Sequence, residues 1–332
     1  MNNILFSKIC EFCQLGLPTG NPKRISGGYM HKMYRIKTSS GDYAVKLLNP
    51  VIMQREDAMK NFMLAEGLEV KLQSANIPVV PALEFNNQKM QCIDNQYFYI
   101  FHWIAGKSLN QKKIKKEHCK IIGKILAKIH KLECSEEYKE KADIVIDWDF
   151  YIEKAKDICP KVSTILSENR EVLNKSMKKG NLAYKRIPKT VCVSNGDMDS
   201  KNVLWVGNKP QIIDLECLNY GNPYTELFQL SLCWCGYEQG KIDFNLLGAF
   251  IKSYIAEYGS FNAVWEDLYY SDIGRLEWLE YNVKRALFIE CGDKAEQKLG
   301  FKQVKETMKH IVYYENIKET LLSYLNSIVP NA

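Results

Sequence analysis

The chain has 332 residues, 46% hydrophobic and 25% charged, the composition of an ordinary soluble globular protein with material for two unequal lobes. A formal net charge of +6 is modest for this length, and the basic residues are spread out, which disfavours nucleic acid as a partner. No apolar run reaches the roughly 20 residues of a membrane-crossing helix, and Met1-Asn2-Asn3-Ile4-Leu5-Phe6-Ser7-Lys8 lacks the basic start and long apolar centre of an export signal.

Cys10 and Cys13 form a C-x-x-C, but no second pair follows at zinc-ribbon spacing. Most of the eleven cysteines stand among Ile, Val and Leu, where a free thiol behaves as a small hydrophobe. The odd count and the lack of an export signal point to a reducing cytoplasm. Tyr34-Arg35-Ile36-Lys37 and Asp42-Tyr43-Ala44-Val45-Lys46-Leu47 flank Thr38-Ser39-Ser40-Gly41 and predict a hairpin. A helix is expected from Asp57 to Ser74, ended by Asn76-Ile77-Pro78. Strands are expected at Val79 to Phe85 and Tyr97 to Trp103, and Ala105-Gly106-Lys107 reads as a linker. Lys112, Lys113, Lys115 and Lys116 read as the solvated start of a helix.

Beyond the linker, helices dominate. Glu117 to His130 carries Ile121, Ile122, Ile125, Leu126 and Ile129 on one side. Tyr151 to Lys178 reads as one long helix, and further helices are expected at Thr225 to Cys235, Leu246 to Tyr258, Gly274 to Ile289 and Lys302 to Leu325. The architecture is therefore α+β: a β-rich N-terminal lobe at residues 1–104 and a mainly helical C-terminal lobe at residues 105–332.

One segment interrupts the helices. Ser194-Asn195-Gly196-Asp197-Met198-Asp199-Ser200-Lys201-Asn202 precedes two short strands, Val203-Leu204-Trp205-Val206 and Gln211-Ile212-Ile213, joined by Gly207-Asn208-Lys209-Pro210. Such a hairpin carries Asn202 and Asp214 to the same end. Asp197, Asn202 and Asp214 stand in the order and spacing used in phosphoryl transfer. Asp197 can orient or deprotonate a substrate hydroxyl. Asn202 and Asp214 can offer oxygens to Mg²⁺, a hard ion that takes oxygen ligands.

With these motifs, the chain resembles the aminoglycoside phosphotransferase and choline kinase-like superfamily, small-molecule relatives of protein kinases, over about residues 20–310. The resemblance implies a bilobal protein-kinase-like fold that binds ATP or GTP in its cleft. Ile25-Ser26-Gly27-Gly28-Tyr29-Met30-His31-Lys32-Met33-Tyr34-Arg35-Ile36 resembles the loop over the nucleotide phosphates between two strands, with Gly27 and Gly28 allowing close backbone approach. Lys46 resembles the lysine that holds the α- and β-phosphates. Glu66 resembles the glutamate that pairs with it, with Glu56 and Glu69 as rivals. Phe98-Tyr99-Ile100-Phe101-His102-Trp103 resembles the strand into the hinge, where backbone near Phe101, His102 and Trp103 would meet the adenine. His102 and His130 are expected to be structural.

Two departures from the family pattern stand out. Asn195 occupies the position of the usual His before Gly196-Asp197, and Glu226 in Tyr224-Thr225-Glu226-Leu227 occupies that of a later Asp, which suggests that the two are coupled. Glu216 in Ile213-Asp214-Leu215-Glu216 is a further metal ligand or a surface residue. The expected acceptor is a small hydroxylated molecule carrying an amine. Its candidate wall is Asp272, Glu277, Trp278, Glu280 and Tyr281, with Trp234 and Tyr237 opposite, because carboxylates and aromatics suit a cation. A protein kinase lacks support, since no Ala-Pro-Glu follows Asp214. A nucleotide-binding scaffold is disfavoured by the retention of Lys46, Asp197, Asn202 and Asp214. The sequence leaves open the acceptor's identity, ATP against GTP, and the oligomeric state.

Overall fold

Burial alternates along Lys32–Thr38, with Tyr34, Ile36 and Thr38 buried, as expected of a strand with one wet face. The computed structural model describes residues 2–25, 30–140 and 142–329. In chain order its elements are α1 (Asn2–Phe12), β1 (Lys23–Ile25), β2 (Lys32–Thr38), β3 (Gly41–Leu47), α2 (Pro50–Met53), α3 (Ala58–Ser74), β4 (Gln91–Ile93), β5 (Gln96–His102), β6 (Lys107–Ser108), α4 (Lys116–His130), α5 (Trp148–Ile158), α6 (Pro160–Glu168), α7 (Arg170–Tyr184), β7 (Cys192–Ser194), β8 (Val203–Val206), β9 (Lys209–Ile212), β10 (Asn219–Gly221), α8 (Pro223–Trp234), α9 (Phe244–Tyr258), α10 (Trp265–Ser271), α11 (Gly274–Ala286) and α12 (Lys294–Ile328). The chain forms two compact units, Met1–Leu109 with Asn195–Asn219, and Asn110–Ser194 with Tyr220–Ala332. The first unit thus reclaims residues 195–219, which the sequence reading placed in the helical lobe.

In the first unit, an antiparallel sheet runs in the order β1-β2-β3-β5-β4. Helix α1, missed in the sequence, supplies Phe6 and Ile9 to a core with Tyr34, Ile36, Tyr43, Val45, Phe98 and Ile100. Phe6 and Ile9 are 2% and 0% exposed, a burial that contributes about 1.5–3 kcal/mol for each side chain. Phe62 of α3 packs with Leu48, Ala82 and Tyr99 in a second cluster. Helix α3 stops where expected. Asn76 takes a left-handed φ of 57°, and the Ile77 N–H closes back on the Leu72 carbonyl at 3.0 Å.

The strand expected at Val79 to Phe85 is an extended strap instead. Pro78 and Pro81 have no N–H to give a ladder. The strap bonds at single points: Val80 N–H to the Ile212 carbonyl at 2.8 Å, Ile212 N–H to the Pro78 carbonyl at 2.7 Å, and Leu83 N–H to the Ile100 carbonyl at 2.7 Å. A second small sheet, β6-β8-β9, contains the expected hairpin, with Val203 opposite Ile212. These contacts tie residues 195–219 to the first unit.

In the second unit, α4 lies close against α9, because a Cβ at Gly123 would sit 2.6 Å from the Phe250 carbonyl oxygen. The long helix expected from Tyr151 to Lys178 is three helices, α5, α6 and α7. Pro160 starts the second, and Asn169 separates it from the third. Trp148, Val162, Leu166 and Leu173 of these helices share a core with Leu276, Leu279 and Val283 of α11 and Val304 and Ile311 of α12. Among the described residues, no helix is long and apolar enough to cross a membrane.

Candidate active site

The loop after β7 is shaped by its own polar groups. Asn195 is 1% exposed, and its Oδ1 accepts the Asp197 N–H at 3.2 Å, a local turn that Asn favours. Gly196 between them has φ 74°, and a Cβ there would lie 2.8 Å from the Cys217 carbonyl oxygen. Only glycine meets both conditions without strain. Gly196→Ala is therefore expected to lower the melting temperature and to cost activity as the loop shifts. Parallel thermal denaturation and turnover measurements check this, and an unchanged variant would refute the role of the turn.

Asn202 organises the next step. Its Nδ2 donates to the Asp197 backbone carbonyl at 2.9 Å and to Asp197 Oδ2 at 2.8 Å. This use of the amide nitrogen leaves Oδ1 as the acceptor open to a cation. The Asn202 carbonyl accepts the Ile213 N–H at 2.9 Å, which sets Asp214 beside it. Asp214 takes a left-handed φ of 63°, an unusual conformation for a residue other than glycine. Lys46 of β3 donates to Asp214 Oδ1 and to Glu216 Oε2. Asp197, Asn202, Asp214 and Lys46 are thus brought together within the first unit.

The electrostatics follow from this crowding. Burial pushes the Asp197 carboxyl up, Asp199 and Asp214 push the same way, and Lys201 opposes them, leaving it at about 7. Lys201 Nζ lies 2.7 Å from Asp199 and 3.5 Å from Asp197. Burial works against the Lys46 charge, but Asp214 and Glu216 more than reverse it, so Lys46 holds its proton more tightly than usual. Burial would also raise the Glu216 carboxyl, but Lys46 and His31 hold it well below the usual carboxylate range.

The donor set suits magnesium. Asn202 Oδ1 and Asp214 Oδ2 are hard oxygens of the kind that ion takes. Among the described residues, no three His, Cys, Asp or Glu side chains close on one point.

Several expected residues lie elsewhere. The Lys46–Glu66 pair is not formed: Glu66 Oε1 instead accepts the Tyr99 hydroxyl at 2.8 Å. Tyr99 stands opposite Lys46 across β3 and β5, so its hydroxyl intervenes between the lysine's strand and α3. The rival Glu69 is committed to Lys89 at 2.5 Å. At the end of β5, Phe101 pairs with Ala44 and His102 with Tyr43, while the Trp103 N–H is taken by the Asp42 carbonyl at 3.0 Å. His102 is exposed and stacks on Tyr43, with ring centroids 5.8 Å apart. Gly27 and Gly28 lie outside the described residues.

In the second unit, His130 is buried between the Tyr254 hydroxyl at 2.7 Å and Glu226 Oε2 at 2.9 Å. It is a structural histidine, and Glu226 is its partner. The expected acceptor wall is only partly available. Trp234 is 0% exposed and belongs to the core. Asp272 pairs with Arg275 at 2.6 Å and accepts Gln229 at 3.0 Å. Glu280 accepts the Tyr151 hydroxyl at 2.6 Å and pairs with Lys284 at 3.0 Å. Tyr237 packs against His310, Tyr313 and Tyr314. Glu277 is exposed, and Trp278 and Tyr281 lie half-buried with ring centroids 5.5 Å apart. The sequence reading missed His31, Tyr99, Asp199 and Lys201 around the acids. Only Asp199 and Lys201 carried a signal, as charges inside the motif itself.

The family model for the phosphotransferase enzyme family matches residues 22–269. The chain belongs to that family. Solved structures similar to this phosphotransferase include spectinomycin phosphotransferase APH(9)-Ia in complex with ADP and spectinomycin. It is 15% identical, with a TM-score of 0.66 over 93% of this chain and 98% of that one. A choline/ethanolamine kinase family protein from Mesorhizobium loti is 16% identical, with a TM-score of 0.57 over 94% and 98%. Plasmodium vivax ethanolamine kinase is 18% identical, with a TM-score of 0.56 over 86% and 81%. At such identities the likeness speaks to the fold, and the fold of this phosphotransferase is theirs. No curated protein matches the sequence.

Proposed function

We propose that the protein is a Mg²⁺-dependent kinase that moves the γ-phosphoryl group of ATP to a hydroxyl of a small amine-bearing molecule. The observation that carries this reading is the cluster in the first unit: Asn202 Nδ2 on Asp197, and Lys46 on Asp214. Asp197 accepts the proton of the acceptor hydroxyl as its oxygen attacks phosphorus and the bond to the nucleotide's bridging oxygen breaks. Asn202 keeps the Asp197 carboxylate aimed, and its own Oδ1, with Asp214 Oδ2, would hold the ion. Mg²⁺, when bound, offsets charge on the phosphates and favours the ionised form of Asp197. Lys46 supplies a fixed positive charge for the same phosphates. Positioning and electrostatics are what such a transfer requires of a protein.

ATP is favoured because similar structures carry adenine nucleotides: ADP, AMP or AMP-PNP. The amine is supported by similar structures named for ethanolamine and choline/ethanolamine kinases. The test is a phosphate-transfer assay with ATP and Mg²⁺ over choline, ethanolamine, spectinomycin, aminoglycosides and neutral sugars. Transfer to at least one amine is expected. Transfer to a neutral sugar and to none of the amines would refute the amine while leaving the kinase intact.

A further inference from the structure

Both carboxylate oxygens of Glu216 are occupied. Oε2 receives Lys46 Nζ, and Oε1 lies 3.2 Å from His31 Nε2. His31 is enclosed, with 3% of its side chain exposed. Its Nδ1 accepts the Asn49 backbone N–H at 3.0 Å. A neutral imidazole that accepts at Nδ1 carries its proton at Nε2, so the ring presents a donor to Glu216. Asn49 is itself anchored, because its Oδ1 caps α2 by accepting the Val51 N–H at 3.0 Å. The Phe62 ring lies 6.2 Å from the imidazole. A connected path therefore runs from the backbone at Asn49 through His31 and Glu216 to Lys46.

Lysine needs such a path. Its ammonium is a point charge on a flexible four-carbon stem, and the stem does not aim itself. Asp214 cannot serve this purpose alone, because its second oxygen is the one that suits a metal. Glu216 has no such second duty, and Glu66 is held by Tyr99.

We propose that His31 is a positioning residue for phosphate binding: through Nε2 it fixes Glu216, and Glu216, in place of Glu66, fixes Lys46 for the nucleotide phosphates. This rests on the reading of the first unit as the nucleotide-binding part.

The test is calorimetric titration of the full chain with ADP plus Mg²⁺ and, separately, with adenosine. His31→Leu is expected to weaken ADP about tenfold, the scale of one lost hydrogen bond to a charged group. Adenosine carries no phosphate and should be unaffected, whereas a general loosening of the fold would weaken both ligands. His31→Gln, whose amide can donate near the place of Nε2, should recover most of the ADP affinity. Glu216→Gln should reproduce the loss, and Glu66→Gln should cost clearly less. Unchanged ADP affinity in His31→Leu overturns the proposal, as does an equal loss for ADP and adenosine. Should His31→Leu fail to fold, the two glutamate variants decide, and a larger ADP loss in Glu66→Gln overturns it. A wild-type chain that binds neither ligand would instead overturn the nucleotide reading itself, and the role of His31 with it.

Discussion

Asp197→Asn is expected to reduce transfer by about 10²–10⁴-fold, the usual contribution of a positioned acid or base, while Mg²⁺–ADP binding survives. The substitution is close to isosteric. An asparagine oxygen at 197 can still accept the Asn202 amide that now bonds Asp197 Oδ2 at 2.8 Å, so the loop keeps its shape. What disappears is the group proposed to take the acceptor's proton. Burial and the neighbouring acids hold the Asp197 carboxyl at about 7, so this group accepts a proton more readily than an ordinary surface aspartate. The paired measurements are turnover with an acceptor that the wild-type chain phosphorylates and ADP titration in the presence of Mg²⁺. Unchanged turnover would remove Asp197 from the chemistry, and loss of ADP binding would show that its part is structural.

Asp214→Asn should have the opposite signature, a loss in the metal-dependent part of nucleotide binding. Asparagine is the informative replacement because it tolerates the left-handed backbone of Asp214, where alanine would add strain of its own. The change removes the one charged oxygen donor proposed for the ion and half of the charge facing Lys46. Even residues that only support a metal ligand typically change affinity by about 10–100-fold, so a loss of roughly 10²-fold in apparent Mg²⁺ affinity is the expected scale. Asn202→Ala should be milder toward metal, since a neutral oxygen is lost, but it should also slow transfer because Asp197 loses its orienting amide. A Mg²⁺ titration identical in Asp214→Asn and wild type would refute the assignment.

What the sequence made legible was local. Asp197, Asn202 and Asp214 could be found because the hairpin that joins the last two is built from adjacent strands, and the β2–β3 hairpin around Lys46 is local in the same way. The partner of Lys46 could not be found by the same means. Glu216 lies 170 residues away in the chain, and nothing in the spacing of α3 reveals that the Tyr99 hydroxyl already engages Glu66. His31 was hidden because a lone histidine beside a strand has no pattern, and its role exists only through Asn49 and Glu216. The acceptor wall suffered from the opposite fault. Its acids and rings were visible, but the arginine, lysine and tyrosine partners of Asp272 and Glu280 were not, nor was the complete burial of Trp234. Helical composition ran unbroken through Cys159–Pro160 and Asn169, where backbone chemistry divides the segment.

The first unit is assembled from two stretches of chain, with residues 110–194 inserted between them. This bears on how the protein emerges from the ribosome. When the first 109 residues are out, the strap at Pro78–Val80 still lacks Ile212, and Lys46 still lacks both of its carboxylates. At about 5–20 residues per second, that interval lasts several seconds or more. During it Lys46, which the folded unit buries, has neither counter-charge, and burying a lone ammonium is costly. The ion-pair partners of Lys46 are therefore complete only when the stretch that carries Asp214 and Glu216 joins the sheet.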